Sequence, residues 1–527
     1  MGILDRFRRN KPVTKRRSLS TFLPGGTVPR NSSSGGGFYG AVQDRLTEDF
    51  KGSDLSADAA AYQSLEKLRA RSRQLCMSNP YAKRFVSMVV SNVLGTDGIR
   101  LEARTKRDFN GDLDLVDNAT LEQAWANWAK PKSCSITGQL NLRDLQRISL
   151  AALCRDGEVF LRIHKVDDNP YGISVEVKEG DSLMVRHNQE LDNGDRIVMG
   201  IEQTIYGKPI AYHFLVEDNT HNPAQTYSAS RTGNVRTERV PADEVIHLYI
   251  HDRPGQSRGI PWMAQSMRGL HMTESYREAE LVAARVAASK MAFYTSQHGD
   301  GYTGDDIDQD GSLVFEAEAG LIEQLPEGVS LETLDWSHPN SNMGDFTKAC
   351  LRGVASGLGV SYNALSNDLE GVNFSSIRAG VQEEREIWKT LQSFMSDHLM
   401  NPLFEIWLDS AMLNDAVPFP PRKRDKYLEI IWRPRGFSYV DPVKDQQAFE
   451  KAVSLGVMSR SEIAAQQGKD FRDVLEELAK EEQLAYELGV NVSPRQTMPI
   501  YPAMQDPEAQ AKGEFSEEDA QEEVAEE

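Results

Sequence analysis

The sequence is poor in the features that staple or anchor a chain. Four cysteines, Cys76, Cys134, Cys154 and Cys350, are spread over 527 residues and form no CxxC pair. They read as reduced, mostly buried thiols of a cytosolic protein, which excludes a disulfide framework and a cysteine-built zinc site. Long apolar runs are also missing: the best, FVSMVVSNVLG, is about half a membrane span. The basic start, MGILDRFRRNKPVTKRR, is followed by no apolar stretch, so no secretory leader is expected. Arg6 stands where a myristoylation motif carries Ser or Thr. A soluble protein with no membrane partner is the expectation. Positive charge is in deficit: 59 Lys and Arg stand against 79 Asp and Glu, a formal net charge of -20. Such a body cannot hold nucleic acid by bulk attraction, because the phosphate backbone is itself a dense polyanion. Any contact with DNA has to be local.

Motifs for chemistry are absent too. There is no GxxxxGK[ST] phosphate loop and no GxSxG elbow, and the glycines of GVASGLG lack GxGxxG spacing. His247 and His251 fall on HLYIH, which reads as a strand end and would hold them about 13 Å apart. The run Asp306, Asp308, Asp310 and Gly311, preceded by Asp305, matches the first half of a calcium loop from Asp306 on, but Ala317 occupies the place of its bidentate Glu. It reads as a solvated acidic turn; a weak divalent-ion site at Asp306, Asp308 and Asp310 is the alternative. No catalytic residue and no cofactor are expected.

What is present is a chain too long for one core. Residues 1–52 are basic and then Pro/Gly/Ser-rich, the composition of a flexible arm. Helical patterns follow, breaking at Asn79-Pro80, stopping at Gly95, and resuming in LEQAWANWAK and in Leu142 to Cys154. At Arg155-Asp156-Gly157-Glu158 the period changes to that of strands. VFLRIHKV, ISVEVKE, RIVMGIEQ, PIAYHFLV and EVIHLYI read as antiparallel strands between Gly, Asn and Asp turns, giving an α+β fold class. Near the end, three helices each close on a glycine, and from about residue 491 the chain is almost purely acidic and reads as disordered.

The chain is organised around Trp262 to Phe374. Met272, Tyr276, Ala279, Ala283 and Val286 form a heptad stripe poor in large side chains, and Phe346, Cys350, Gly353 and Gly357 line a second helix, with Lys348 and Arg352 on another face. Such helices bury too little apolar area to hold themselves in place, so close neighbours are expected.

Several stretches, in order, resemble the lambda-like family of tailed-phage portal proteins: LRARSRQLCMSNPYAKRFVSMVVSNVLGTDGIRL, LQRISLAALCRDGEVFLRI, VPADEVIHLYIHDRPGQSRGIPWM, LRGVASGLGVSYNALSNDLEGVNFSSIRAGVQEEREIW and DPVKDQQAFEKAVSLGVMSRSEIAAQQG. The resemblance spans roughly residues 55–490. It implies a portal fold assembled as a ring, typically a homododecamer, at one vertex of an icosahedral head, threading double-stranded DNA during packaging and ejection. Mapped by order, it implies a flexible arm (1–52), an α+β wing (53–260), a first stem helix (261–290) and a small β-containing clip (291–341). A second stem helix (342–361), a tunnel loop (362–375), a long helix with the return strand of the wing (376–440), crown helices (441–490) and an acidic tail (491–527) would follow.

On this resemblance the two stripes would pack the stem into a ring. Lys348, Arg352, Asn367, Asp368, Glu370, Gly371 and Asn373 would face the channel and its DNA, and Asp305, Asp306, Asp308 and Asp310 would serve clip docking. Implied partners are the terminase large subunit, which supplies the energy, the major capsid protein and scaffold, and head-completion and tail connector proteins. Assembly would take place in the host cytoplasm. Two other readings remain: a different head-tail adaptor or capsid component, without the stem-clip-stem order, or a metal-dependent DNA-processing enzyme using the Asp306 to Asp310 turn.

Overall fold

The computed structural model describes residues 52–108, 112–216, 236–288, 292–296, 329–333, 342–370, 374–437, 442–468 and 470–489. Met1–Ser56 and Ala57–Glu527 are separate units, and the features below belong to the second. The expected arm, the acidic tail and Asp305, Asp306, Asp308, Asp310, Gly371 and Asn373 lie outside the described residues.

Asn79 ends one helix and starts the next. Its side chain accepts from the backbone N–H of Tyr81 and Ala82 (3.0 and 3.1 Å), and Pro80 needs no partner at a first helical position. This separates α1 (Ala57–Ser78) from α2 (Pro80–Val93) at the break expected from sequence. After β1 (Arg100–Ala103) come α3 (Leu115–Trp128) and α4 (Leu142–Asp156), the latter opened by a reciprocal Asn141–Asp144 capping box. Gly157, at φ +86°, turns α4 directly into β2 (Glu158–Lys165).

The β unit continues with β3 (Ile173–Glu179), β4 (Gln189–Glu190), β5 (Arg196–Val198), β6 (Ile201–Gln203), β7 (Pro209–Leu215), β8 (Thr237–Pro241) and β9 (Val245–Tyr249). It divides into a three-stranded sheet, β3-β2-β9, and a five-stranded meander from β4 to β8, all antiparallel. RIVMGIEQ, expected as a single strand, is a hairpin. Met199 and Gly200 have φ of +49° and +85°, the two-residue turn whose twist suits antiparallel strands. A methionine in that conformation is strained. Burial to 1% exposure and a hydrogen bond from its N–H to Asn188 Oδ1 (2.9 Å) hold it there.

Beyond Pro261, a short 3-10 turn, Trp262–Gln265, precedes α5 (Met267–Ala288), so this helix begins later than the sequence suggests. The β10 (Ala292–Ser296) and β11 (Val329–Thr333) strands pair antiparallel. Then come α6 (Met343–Leu358) and α7 (Tyr362–Ser366), a short helix inside the segment expected as a loop. The chain returns through α8 (Phe374–Met395), a π turn at Ser396–Met400 and α9 (Asn401–Leu413) to β12 (Ile430–Arg433), which pairs with β1. That return closes the core. Trp125 lies 4.9 Å from Trp128, 5.0 Å from Trp407 and 5.5 Å from Phe404, between ring centroids. The last helices, α10 (Pro442–Ser454), α11 (Arg460–Gln466) and α12 (Phe471–Leu488), are followed by Gly456, Gly468 and Gly489 at positive φ, as expected from sequence.

Candidate nucleic-acid interface

The segment after α6 folds back beside it. The Ser361 hydroxyl caps α7 by accepting from Ala364 N–H (3.2 Å), Ser361 N–H donates to Glu384 (2.6 Å), and Asn367 ends the turn at φ +58°. This brings five of the expected channel residues onto one surface. Lys348 Nζ lies 3.2 Å from Glu370 Oε2 and 3.8 Å from Asp368 Oδ2. The Tyr362 hydroxyl donates to Asp368 (2.7 Å), and the Arg352 guanidinium lies over the Tyr362 ring, 5.4 Å from its centroid. From α2, Arg84 donates to Asn367 Oδ1 (3.3 Å) and to Ala364 O (3.4 Å).

The two cations therefore differ: Lys348 is held by carboxylates of its own chain, whereas Arg352 rests on an aromatic face. Exposed pairs of this kind are weak and screened by salt, so a phosphate can exchange for a carboxylate at Lys348. The Tyr362 hydrogen bond holds the Asp368 carboxyl below its usual range, and the Glu370 hydrogen bond and charge raise Lys348. The depressed Asp368 value means its contribution is present above the unfolded carboxyl pKa of about 4 and lost only as pH falls through the folded value. The raised Lys348 value means its contribution is present below about pH 10 and lost as pH rises through the folded value. Protease cleavage within 362–370 should therefore be flat from about pH 6 to pH 8 and rise with salt. A transition near neutrality would sink this assignment.

Of the two stripes, Met272 is 56% exposed, Ala279 and Gly353 are exposed, and Ala283 and Cys350 are half-buried. Tyr276 and Phe346 meet each other inside the chain, centroids 5.1 Å apart. A Cβ on Gly357 would lie 2.4 Å from Ser266 Oγ, so this glycine lets α6 approach the turn before α5. The face that α5 turns to its own chain is another one, with Met267, Leu270, Thr273 and Glu280 buried. The Val286 side chain lies outside the described residues.

A buried ionic cluster escapes sequence reading. Arg69, Glu158 and Arg258 are each fully buried. Glu158 accepts from Arg69 Nη2 (2.5 Å), Arg258 Nε (2.7 Å) and Gly259 N–H (2.8 Å), and pairs with His247 Nε2 (3.0 Å). At its edge Arg73 bridges Asp156 and Asp181, both at 2.7 Å. Burial alone would push the Glu158 carboxyl up, but Arg258 and Arg69 outweigh it and hold it well below the carboxylate range. Burial lowers His247, against the opposing effect of Glu158, so the ring is neutral at pH 7. The only signal in sequence was the Arg155-Asp156-Gly157-Glu158 switch; the arginines lie 89 and 100 residues away from Glu158. Among the described residues no group of three or more His, Cys, Asp or Glu is placed to hold a metal ion.

Residues 43–392 match the family described as phage portal protein, lambda family. A probable portal protein of Halomonas phage phiHAP-1 is 35% identical over 502 residues, covering 93% of this chain and 94% of its own. Portal protein B of Escherichia phage lambda is 21% identical over 470 residues, 81% of this chain and 85% of its own. Among solved structures, a chain from the virion of a native gene transfer agent particle is similar at 13% identity and TM-score 0.43, over 80% of this chain and 98% of that one.

Proposed function

The chain belongs to the lambda family of phage portal proteins, structural components that form the DNA conduit at a capsid vertex, and from this we propose how its parts divide that work. Twelve copies close a ring, with 261–290 and 342–361 as its stem and 362–375 as the tunnel segment. The 291–341 clip docks the terminase large subunit and later the head-completion and tail connector proteins, the acidic residues Asp305, Asp306, Asp308 and Asp310 being the contact. The wing meets the major capsid protein and scaffold, and 441–490 forms the crown. The observation that carries this reading is the order of α5, the β10–β11 pair and α6: two helices leave an α+β body on either side of a small β element. Small residues left exposed on those helices, Ala279 and Gly353, suit the close approach of identical helices from adjacent copies.

The mechanism follows from charge. A body of net charge -20 repels phosphate, which keeps a sliding duplex from being gripped, and Lys348 and Arg352 give brief, salt-sensitive contacts where it passes. Lys348 alternates between Glu370 and a phosphate, so each contact is made without leaving a bare charge behind.

Native mass spectrometry with negative-stain imaging tests the ring. Twelve chains of 58.9 kDa give about 0.7 MDa, with a central hole wider than a duplex of about 20 Å. Ala279→Trp is expected to leave a folded protomer that no longer closes the ring. A wild-type chain that stays monomeric at high concentration with scaffold present would overturn the reading, and an Ala279→Trp protein that still forms rings would remove α5 from the subunit contact.

A further inference from the structure

Two cavities flank β1, and their arginines are treated differently. In one, of about 390 Å³, every arginine fork but that of Arg100 meets a carboxylate: Arg104 with Glu102 and Asp470, Arg433 with Glu102, and Arg472 with Glu476. This is an internal ionic lattice with little charge left over. The second cavity, of about 500 Å³, is lined by Arg100, Arg147 and Arg435 from three separate segments. Their hydrogen-bond partners are backbone carbonyls. Arg100 Nη2 donates to Gly468 O (3.0 Å), Arg147 Nη2 to Gly95 O (3.1 Å), and Arg435 Nη1 to Ser91 O (2.6 Å). None of the three pairs with a carboxylate among the described residues. A guanidinium has five N–H donors, so each keeps donors to spare.

The bland account is that these arginines cap helix ends, since Ser91 and Gly95 close α2 and Gly468 follows α11. Magnitudes decide against that being all. Each helix end carries about half a negative charge. Asp97, the one carboxylate lining this cavity among the described residues, adds a full one. Against three cations, about one positive charge stays unmatched, in a chain whose total is -20. The walls are also fixed by close backbone approach: a Cβ on Gly436 would lie 2.1 Å from Gln467 C, and one on Gly468 2.6 Å from Gly436 N. The arginines are thus held around one opening by contacts that leave it cationic.

The geometry points to this cavity as a second DNA contact, a site for phosphodiester oxyanions of duplex DNA set apart from the Lys348 and Arg352 surface. Arginine forks match phosphate oxygens in pairs, and a local cationic spot on an otherwise repelling body fixes where a duplex touches it. Neither the site nor its test depends on ring closure.

The test is binding of a fluorescent duplex of about 20 base pairs to the purified full-length chain over a salt series. Arg100→Gln/Arg147→Gln/Arg435→Gln is expected to weaken binding about tenfold or more and to flatten the slope of log K against log salt by about 2. Asp97→Asn, which alters no helix cap, is expected to tighten binding several-fold. Should the triple variant fail to fold by circular dichroism, Asp97→Asn and Arg147→Lys, which keeps the charge and should keep the slope, decide the matter. An unchanged slope in a folded triple variant, or no response to Asp97→Asn, overturns the site. Inorganic phosphate is the second arm. If it stabilises the chain against heat through these arginines while the duplex shows no dependence on them, the cavity is a free-phosphate site and the assignment to DNA is wrong.

Discussion

Replacing Glu158 with glutamine is expected to cost about 3–5 kcal/mol of stability, the range for breaking a buried charge pair on one side only. Two arginines, Arg69 and Arg258, are fully buried against this carboxylate, and neither can lose its proton to escape. Glutamine keeps the shape but offers one acceptor oxygen where two carboxylate oxygens now take four partners. Both cations would then sit in a low dielectric, with Asp181, 3.3 Å from Arg69, the one carboxylate still paired with either of them among the described residues. The cluster binds α1 to β2 and to the segment before α5, so the loss should appear as a lower denaturant midpoint of the whole body, with the slope unchanged. Glu158 has its folded pKa well below the unfolded one. Its contribution is therefore complete above about pH 4.3 and disappears only as pH falls through the folded value. Arg73→Gln is the comparison. That side chain is partly exposed, so removing it should cost clearly less. Equal midpoints for Glu158→Gln and the wild type would show that the Glu158 carboxylate's charge contributes nothing to the stability of the fold.

Sequence reading worked where a structure is decided locally. Asn79-Pro80, Gly157, Gly456, Gly468 and Gly489 each mark a boundary through their own backbone preferences, and the helices stop where those residues say. The hairpin at Met199-Gly200 was missed because methionine is a poor candidate for φ of +49°; what secures it is burial and Asn188, eleven residues away. The Glu158 cluster was invisible for a related reason. Charged residues are read by default as solvated faces, and only the fold brings Arg69 and Arg258 to the same carboxylate. Lys348 and Arg352 were legible as one helix face, but their partners were not. The polar segment after α6 reads as a loop, and its acids meet Lys348 only because Ser361 and Asn367 cap a short helix that turns it back. Tyr276 and Phe346 show the limit of stripe patterns. Periodicity identifies a face without saying whether it meets its own chain or a neighbour, and here the two rings meet within one chain.

Gly157→Ala should rival the Glu158 substitution, for a reason of geometry. Gly157 sits at φ +86°, and a Cβ there would lie 2.2 Å from the carbonyl carbon of Ile260 and 2.5 Å from Pro261 N. The opposing glycine is equally constrained: a Cβ on Gly259 would lie 2.1 Å from Gly157 O. Two backbones thus cross without side chains between them, at the point where the α+β body hands the chain to α5. Strain at positive φ costs about 1–3 kcal/mol and forced overpacking about 1–3 kcal/mol more, so a loss of several kcal/mol is expected. Gly194 separates the two causes, since it has φ of +85° with nothing within 4 Å of its virtual Cβ. Gly194→Ala should cost only the strain, about 1 kcal/mol. If the two alanine variants have the same midpoint, the crossing contributes nothing beyond conformation. If Gly157→Ala is much the worse, the crossing is what fixes the direction of α5. Gly259→Ala, which brings the same overlap without the positive-φ strain, should then impair ring closure in any protomers that still fold, because a helix proposed to pack against its copies tolerates little change in tilt. The double variant should cost less than the two losses added together, since both side chains press on the same contact.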